Sequence, residues 1–592
     1  MAAPSLTVAA RHSLAGRVWH WRDPPADAVS GLMRGLALPE LLARILAGRG
    51  ITAETAPVFL DPTLRALLPD PARLAGMETL AARLARAVRT RETVGIFGDY
   101  DVDGACATAL LAGLLRRLGC PVITHVPDRM TEGYGPNAPA LAAMVGNGAT
   151  LVVCVDCGTT ADAVLATLAP RADCLVLDHH LAPIRPASVA AIVNPNIPPD
   201  TSGLGDLCAT GLVFMALVAL LRALRAAGQF ATLPEPDLRA ELDLVALATV
   251  CDMMKLTGLN RAFVAQGLKV MAANRRPGLA ALLRVAQASL PPGTSTCGFA
   301  LGPRINAGGR IAAPDLGLKL LLSQDQAEAE GLANLLDSIN RKRQTVEAEV
   351  QNQAMAAARA QYAAGHPVLL VAGPQWHPGV VGIVAGRLKD AFNRPACVAA
   401  LADGIARGSG RSVSGLDLGA AILAARAAGL LDHGGGHAMA CGFATAEARL
   451  PALHAFLNQA LAAAASLPAQ PDLIVDATLH AAAATPETAS ALGRLAPFGA
   501  SNPEPVLAMP RMTVNYAQPV GRDGATLRLS LSDETGARVP AIAFRARGSA
   551  LGEALLRRDG PLTFAGQFRA ETYQGQMKTI FSVIDATPGE RA

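Results

Sequence analysis

A chain of 592 residues is about four times the roughly 150-residue span of an average domain, so several domains with separate buried cores are expected. Half of it is apolar (51%), but alanine supplies much of that and the long apolar runs are interrupted, so no membrane-spanning role is expected. A formal charge of +4 is too small to identify a nucleic-acid partner by itself, and 4% aromatic residues leaves few positions for base stacking.

Residues 1–50 read as an N-terminal extension. Its opening, MAAPSLTVAARHSLAGRVWHWRD, scatters Arg and His among small residues and has no compact apolar segment followed by a cleavage site, so a cytoplasmic location is expected. The ten cysteines sit mostly in apolar stretches and read as small core residues. Cys154 and Cys157 form a CxxC pair, but no second pair or histidine follows at zinc-ligand spacing.

A first domain is expected over 51–345, and from about 92 to 345 short apolar runs alternate with Ala/Leu-rich helical runs. TVGIFGDYDVDG, LVVCVDCG, CLVLDHH and AAIVNP each read as a strand ending in polar or acidic residues, a pattern that implies a parallel α/β sheet. Ligands gather at the carboxyl ends of such strands, where these acidic residues fall. LVALATVC, before Asp252, is a helix or a strand end. Residues 323–363 hold no Gly or Pro after Gly331, and their strong helix formers predict a long, polar helix bridging two domains.

A second α/β unit is expected over 346–466, with strands HPVLLVAG and ACVAAL and Gly-rich loops GSGRSVSG and HGGGHAMACG on either side of the helical LGAAILAARAAGLL. Beyond an Ala/Pro-rich linker, 467–592 changes to short alternating segments such as ATLRLSLSD and MKTIFSVID, the texture of a small β-barrel.

GDYDVDG crowds three carboxylates, Asp99, Asp101 and Asp103, into five residues. Such crowding repels unless cations lie between the groups; the alternative is a solvated Asp/Gly turn. Asp156 in VDCG and Asp178-His179-His180 after CLVLDHH repeat the layout, each explicable singly as a cap or a satisfied histidine. Together, several carboxylates with one or two imidazoles suit Mg2+ or Mn2+ better than zinc. Two such ions catalyse phosphodiester or phosphoanhydride hydrolysis. Arg304, Asn306 and Arg310 in PRINAGGRI, and Ser409 and Arg411 beside glycines, offer planar donors that fit phosphate oxygens.

GDYDVDG, VDCG, DHH and ALATVCDMM, in this order and spacing, resemble the successive motifs of the DHH phosphoesterase superfamily. The resemblance implies metal contacts from Asp101, Asp103, Asp156, His179 and Asp252, joined by Asp99 and Asp178, with His180 facing the scissile phosphate. Many members carry a histidine where this chain has Phe97, leaving that ligand to water or Asp99. GGGHAMACGF at 434–443 resembles the motif of the DHH-associated substrate-binding domain. With WHPGVVGIVAGRL and LAPFGASNPEPVL, the segments are similar to those of the RecJ exonuclease family over roughly 50–590. That likeness implies a DHH domain with a parallel sheet, a DHHA1 domain joined to it by the long helix, and a C-terminal OB-like barrel. It implies 5′-to-3′ degradation of single-stranded DNA with two Mn2+ or Mg2+ ions, serving repair and recombination. It also implies a 5′ phosphate held by Ser409, Arg411, Arg310 and the glycines Gly435 and Gly436 near His437. His377 and Trp376 lie near that site, although Trp376 fits core packing equally well.

In the barrel Arg528, Arg545, Arg547, Arg569 and Lys578 are candidates to track a strand, with Tyr516, Phe568 or Tyr573 to stack on bases; ordinary surface charges and core rings are the alternative. A single-strand-binding protein and a helicase are implied as partners, and a monomer is favoured. Two other readings are a small-substrate phosphodiesterase, against which the added barrel argues, and a non-catalytic scaffold, against which the intact carboxylates argue.

Overall fold

The computed structural model describes residues 6–9, 13–129, 131–182, 185–231, 233–521, 523–573 and 576–588. The chain forms two compact units: one made of 61–343 with 497–503, the other of 1–60, 344–496 and 504–592. Near the start of the second, Leu6–Ala9 pairs antiparallel with the strand β1 (Trp19–Arg22).

The 61–343 unit is built on five parallel strands: β2 (Val94–Phe97), then helix α1 (Val102–Arg117), β3 (Val122–His125), β4 (Leu151–Val155), β5 (Asp173–Leu177) and β6 (Ala191–Val193). The spatial order β3-β2-β4-β5-β6 means the chain moves one way from β2 to β3 and then crosses back. That reversal opens a crevice at the carboxyl ends of β2 and β4. β2 and β4 are buried at every position, as strands covered on both faces must be. Helix α2 (Ala209–Ala226) packs on this sheet and on α1, and α3 (Leu242–Cys251) and α4 (Gly302–Ile311) join the same core through α1. The segment before Asp252, open in the sequence between helix and strand, is helix α3. Among the described residues α2 alone is long and apolar enough to cross a membrane, but it is a core helix of this unit. Nine of the ten cysteines are buried and all ten are free thiols.

Helix α5 (Gln326–Ala363) runs unbroken for 38 residues. After it come β7 (Leu369–Pro374), α6 (Pro378–Phe392), β8 (Ala396–Ala402), β9 (Ile405–Arg411), α7 (Leu418–Ala427), β10 (His433–His437) and β11 (Ala440–Ala446). Their sheet runs β10-β11-β9-β8-β7, with only β7–β8 parallel. The Gly-rich segments expected as loops are therefore largely strands: 408–411 ends β9, and 433–437 with 440–443 form the β10–β11 hairpin. Glycine disfavours strands only weakly, and pairing on both sides of β9 and β11 outweighs that preference.

β12 (Leu473–Val475) lies parallel to β1. The barrel closes through β13 (Leu507–Val520), β14 (Thr526–Ser532), β15 (Arg538–Ala543), β17 (Gln576–Pro588) and β16 (Leu562–Tyr573), with β16 returning to β13. Leu527, Leu529 and Leu531 of β14 fill its interior on the alternation that the sequence shows. The N-terminal segment is tied to the barrel by Asp585, fully buried, which accepts hydrogen bonds from Ser13 Oγ and from Trp19 Nε1 (3.0 Å).

Candidate functional site

The loop after β2 carries the first carboxylates. Asp101 caps α1, its Oδ1 accepting from the Gly104 N–H at 3.0 Å. The turn is so tight that a Cβ on residue 104 would lie 2.5 Å from the Asp99 carbonyl oxygen, so only glycine fits. Asp103, one residue into the helix, accepts from the Ala209 N–H (2.6 Å), the Thr210 N–H (2.8 Å) and Thr210 Oγ1 (2.6 Å). It is thereby clamped to the positive end of α2.

Asp156 follows β4 with φ 62°, a left-handed conformation that Asp and Asn tolerate best among residues with a side chain. Asp252 caps the carboxyl end of α3. His179 stands among them: its Nε2 is 3.3 Å from Asp156 Oδ1, 3.6 Å from Asp252 Oδ2 and 3.9 Å from Asp103 Oδ2. Three sets of side chains bring their ligand atoms within 4.8 Å of one another: Asp99, Asp101 and Asp156; Asp103, His179 and Asp252; Asp156, His179 and His180.

The electrostatics of this cluster are unfavourable without cations. Burial, reinforced by neighbouring carboxylates, raises the pKa of Asp99, Asp101 and Asp156, and pushes Asp252 up to about 9. Burial also lowers His179. Among the described residues Asp99 Oδ1, Asp156 Oδ1 and Asp252 Oδ2 are buried with no hydrogen-bond donor. Buried oxygens without donors, carboxylate crowding and a neutral imidazole fit hard divalent cations such as Mn2+ or Mg2+. Gly104→Ala, which must displace the Asp99 backbone, is expected to cost about 1–3 kcal/mol and to weaken Mn2+ binding about tenfold or more. Thermal melting and calorimetric titration with MnCl2 check both.

Asp178, expected among the ligands, joins none of these sets. Its Oδ1 accepts from the His179 and His180 N–H groups and from His180 Nδ1 (2.8 Å); its Oδ2 accepts from the Thr159 N–H and Thr159 Oγ1 (2.6 Å). Burial works against its ionisation, yet the His180 contact holds its pKa down at about 2. Reciprocally, although burial opposes it, Asp178 lifts the pKa of His180 above the ordinary histidine value.

Tyr134 completes this corner, its hydroxyl 3.1 Å from both the Asp156 carbonyl oxygen and His180 Nδ1. Asn194 donates to Thr159 Oγ1 and to the His180 carbonyl, and Asn196 to the His179 carbonyl. Sequence reasoning missed Tyr134, Thr159, Asn194 and Asn196; the polar end of AAIVNPN, a fourth strand of the same pattern, was the available signal. Phe97 is wholly buried in the core and offers nothing to the cluster.

On α4 the three polar residues of PRINAGGRI part company. Arg304 pairs with Asp337 (2.9 Å) and donates to the Ala300 carbonyl, so it fastens α4 to α5. Asn306 and Arg310 are half-buried, and Arg310 acts on Tyr100, whose phenol burial pushes up to about 12.

In the other unit, Ser409 and Arg411 lie two apart on β9 and therefore share a face. Arg411 Nη1 donates to Ser409 Oγ (3.2 Å) and to the Gly410 carbonyl; Ser409 Oγ donates to the Cys441 carbonyl. Gly382 of α6 faces them: a Cβ there would come within 3.1 Å of Ser409 Oγ and 3.3 Å of Arg411 Nη2. Gly435 and Gly436 lie on β10, an edge strand, which leaves a row of N–H groups outside the ladder, and His437 ends it. His377 caps α6, its Nδ1 accepting from the Gly379 N–H at 3.0 Å. Trp376 is core, 8% exposed, with its Nε1 donating to Gln353.

On the barrel Arg528, Arg545 and Arg547 are exposed, as is Tyr516. Register places Gln518 opposite Arg528, so Tyr516 and Arg528 share the outer face of β13–β14. Phe568 takes the core alternative: it is 3% exposed and packs inside, because the barrel core needs large side chains on the inward positions of β16. Arg569 is paired with Glu504 (2.9 Å). Lys578 is exposed, and the side chain of Tyr573 lies outside the described residues. Phe544, 64% exposed after β15, is an aromatic that sequence reasoning did not single out.

Comparison with known proteins finds three domain matches. Residues 93–249 match the DHH family N-terminal domain, 365–463 the DHHA1 domain and 475–585 the RecJ OB domain. The single-stranded-DNA-specific exonuclease RecJ of Bacillus subtilis (strain 168) is 33% identical over 87% of this chain, which spans 64% of that protein's length. The Escherichia coli (strain K12) enzyme of the same name is 35% identical over 79% of this chain and 83% of its own. Among solved structures, RecJ in complex with Mn2+ from Thermus thermophilus aligns with a TM-score of 0.79 at 29% identity, covering 97% of this chain and 80% of that one.

Proposed function

This chain belongs to the RecJ family of single-stranded-DNA-specific exonucleases and is a metal-dependent nuclease; from that premise we propose that it removes mononucleotides from the 5′ end of single-stranded DNA by two-metal hydrolysis. The observation that carries this reading is the buried cluster of Asp99, Asp101, Asp103, Asp156, His179 and Asp252, with three donor-less carboxylate oxygens.

Two divalent cations, Mn2+ or Mg2+, supply when bound a Lewis acid for a phosphoryl oxygen and a nucleophilic water at neutral pH. Asp103 and Asp252 with His179 hold one side of that centre, and Asp99, Asp101 and Asp156 the other. His180, whose protonated form Asp178 favours and whose ring Tyr134 steadies, faces the scissile phosphate. Asp178 thus orients His180 instead of serving as a ligand. Ser409, Arg411 and the edge N–H groups near His437 hold the 5′ phosphate, since a guanidinium fork matches phosphate oxygens. Tyr516, Phe544 and the arginines of the barrel contact the strand with little regard to base identity. The domain limits that go with this reading are 51–345, 346–466 and 467–592. The enzyme works as a cytoplasmic monomer in repair and recombination, on strands exposed by a helicase and a single-strand-binding protein.

The test is digestion of a 5′-phosphorylated strand, the same strand blocked at its 3′ end, and a blunt duplex, with Mn2+ present. Mononucleotides released from the 5′ end with duplex spared are expected. Activity confined to oligomers of a few nucleotides would replace this reading with a small-substrate phosphodiesterase. Arg411→Ala is expected to raise KM for the 5′-phosphorylated strand about tenfold while changing that for a 5′-hydroxyl strand little, in paired steady-state assays.

A further inference from the structure

A second concavity lies in the 61–343 unit, well away from the carboxylates. It is a cavity of about 920 Å³ at the carboxyl end of α1 and the amino end of α3. Asp101 and Asp103 sit at the opposite end of α1, whose 16 residues span about 24 Å. Asp252 likewise sits at the far end of α3.

The charges lining this cavity do not balance. Each of its acids already has an arginine: Glu241 is bound by Arg117 (2.7 Å) and Arg276 (2.6 Å), Asp243 by Arg276 (2.9 Å), and Asp237 by Arg239 (2.8 Å). Arg276 is buried in this cluster with 15% of its side chain exposed, which makes a rigid floor. Arg116, Lys269 and Arg275 line the same cavity, are exposed, and have no carboxylate partner among the described residues. These three unpaired cations leave the cavity lining with an excess of positive charge, which favours an anion. Leu64, Leu242 and Val270 add an apolar wall, and the volume falls within the range of about 300–1,000 Å³ usual for small-molecule sites.

We propose that this cavity binds a nucleoside phosphate, with its phosphates among Arg116, Lys269 and Arg275 and its base and ribose against the apolar wall. Inorganic phosphate alone satisfies the cations but leaves that wall wet. An occupant touches one end of both helices whose other ends carry metal-centre carboxylates.

The experiment titrates the full chain with N-methylanthraniloyl-ADP in EDTA, which removes divalent cations from the carboxylate centre, and follows ligand fluorescence. Saturable binding is expected, displaced by unlabelled ADP at lower concentration than by inorganic pyrophosphate. Lys269→Glu/Arg275→Glu is expected to weaken binding about tenfold or more. Arg411→Ala, altered at the other anion site, is expected to bind as the unsubstituted chain does. Both cavity side chains are exposed and unpaired, and the neutral pair Lys269→Gln/Arg275→Gln decides the matter should charge reversal impair folding. Absence of saturable binding, unchanged binding by the cavity variants, displacement by pyrophosphate at lower concentration than by ADP, or loss of binding in Arg411→Ala would each overturn the proposal.

Discussion

Asp156→Asn is expected to fold normally and to lose nuclease activity by about a thousandfold or more, equivalent to ~4 kcal/mol of transition-state stabilisation. Asp156 is the best residue for separating charge from structure. Asparagine has the same size and adopts the left-handed backbone of this position (φ 62°) as readily as aspartate. Its Oδ1 has no donor to lose, whereas Asp103 is bonded to the amino end of α2 and an amide there would set its NH2 against backbone N–H groups. Asp156 also belongs to two of the three ligand sets, with Asp99 and Asp101 and with His179 and His180, so loss of its charge weakens both of those sets. The checks are kcat on a 5′-phosphorylated strand and calorimetric Mn2+ titration. More than a tenth of the original rate in saturating Mn2+ would remove Asp156 from the mechanism. A second consequence is that the metal-free variant should melt higher than the unsubstituted protein, because one of several mutually repelling buried carboxylates has been neutralised.

The same repulsion predicts an unusual pH dependence of stability. Asp99, Asp101, Asp156 and Asp252 bind their protons more tightly when folded than when unfolded, with Asp252 raised to about 9 from 3.8. A carboxyl whose folded pKa is raised favours the folded state below its unfolded pKa. That contribution is lost as pH climbs from about 4 through the folded value. His180, also raised, adds a loss of the same sign above its ordinary value, whereas His179, lowered by burial, adds a gain that is complete by that value and offsets part of the fall at the acid end. Asp178, held down at about 2, contributes stability that disappears only in strong acid, outside this window. Without metal, the melting temperature of the 61–343 unit is therefore expected to fall between pH 5 and pH 9, on the order of 10 °C for several kcal/mol. Saturating Mn2+ should abolish or reverse the fall, because cation binding favours the ionised carboxylates. Calorimetric scans in EDTA and in MnCl2 across that range measure it. A metal-free protein of constant stability would mean that the carboxylates are solvated and that the cluster is no closed centre.

Much of this was legible from residue order. Strands ending in GDYD, VDCG and LDHH announce themselves because both-face burial requires continuous apolar runs, and the crossover rule then brings their carboxyl ends together. Gly104 was legible as the last residue of GDYDVDG. The Asp99 backbone against which it packs became visible only in three dimensions. The strand β3 was overlooked because its four residues, VITH, are all half-buried and lack an uninterrupted apolar run.

What the sequence by itself determined was the order of elements and the chemical kind of the centre: carboxylates and imidazoles at successive strand ends. Their division of labour was decided by tertiary structure. Asp178 and Asp156 occupy equivalent strand ends, yet Asp178 meets donors from Thr159 and His180 while Asp156 Oδ1 meets none, the difference on which their proposed roles rest. The same holds for Arg304 and Phe568, candidates by residue type that are claimed by Asp337 and by the barrel core. A residue type and its spacing limit what a side chain is able to do; which partners reach it first depends on segments tens or hundreds of residues away, brought together only by packing.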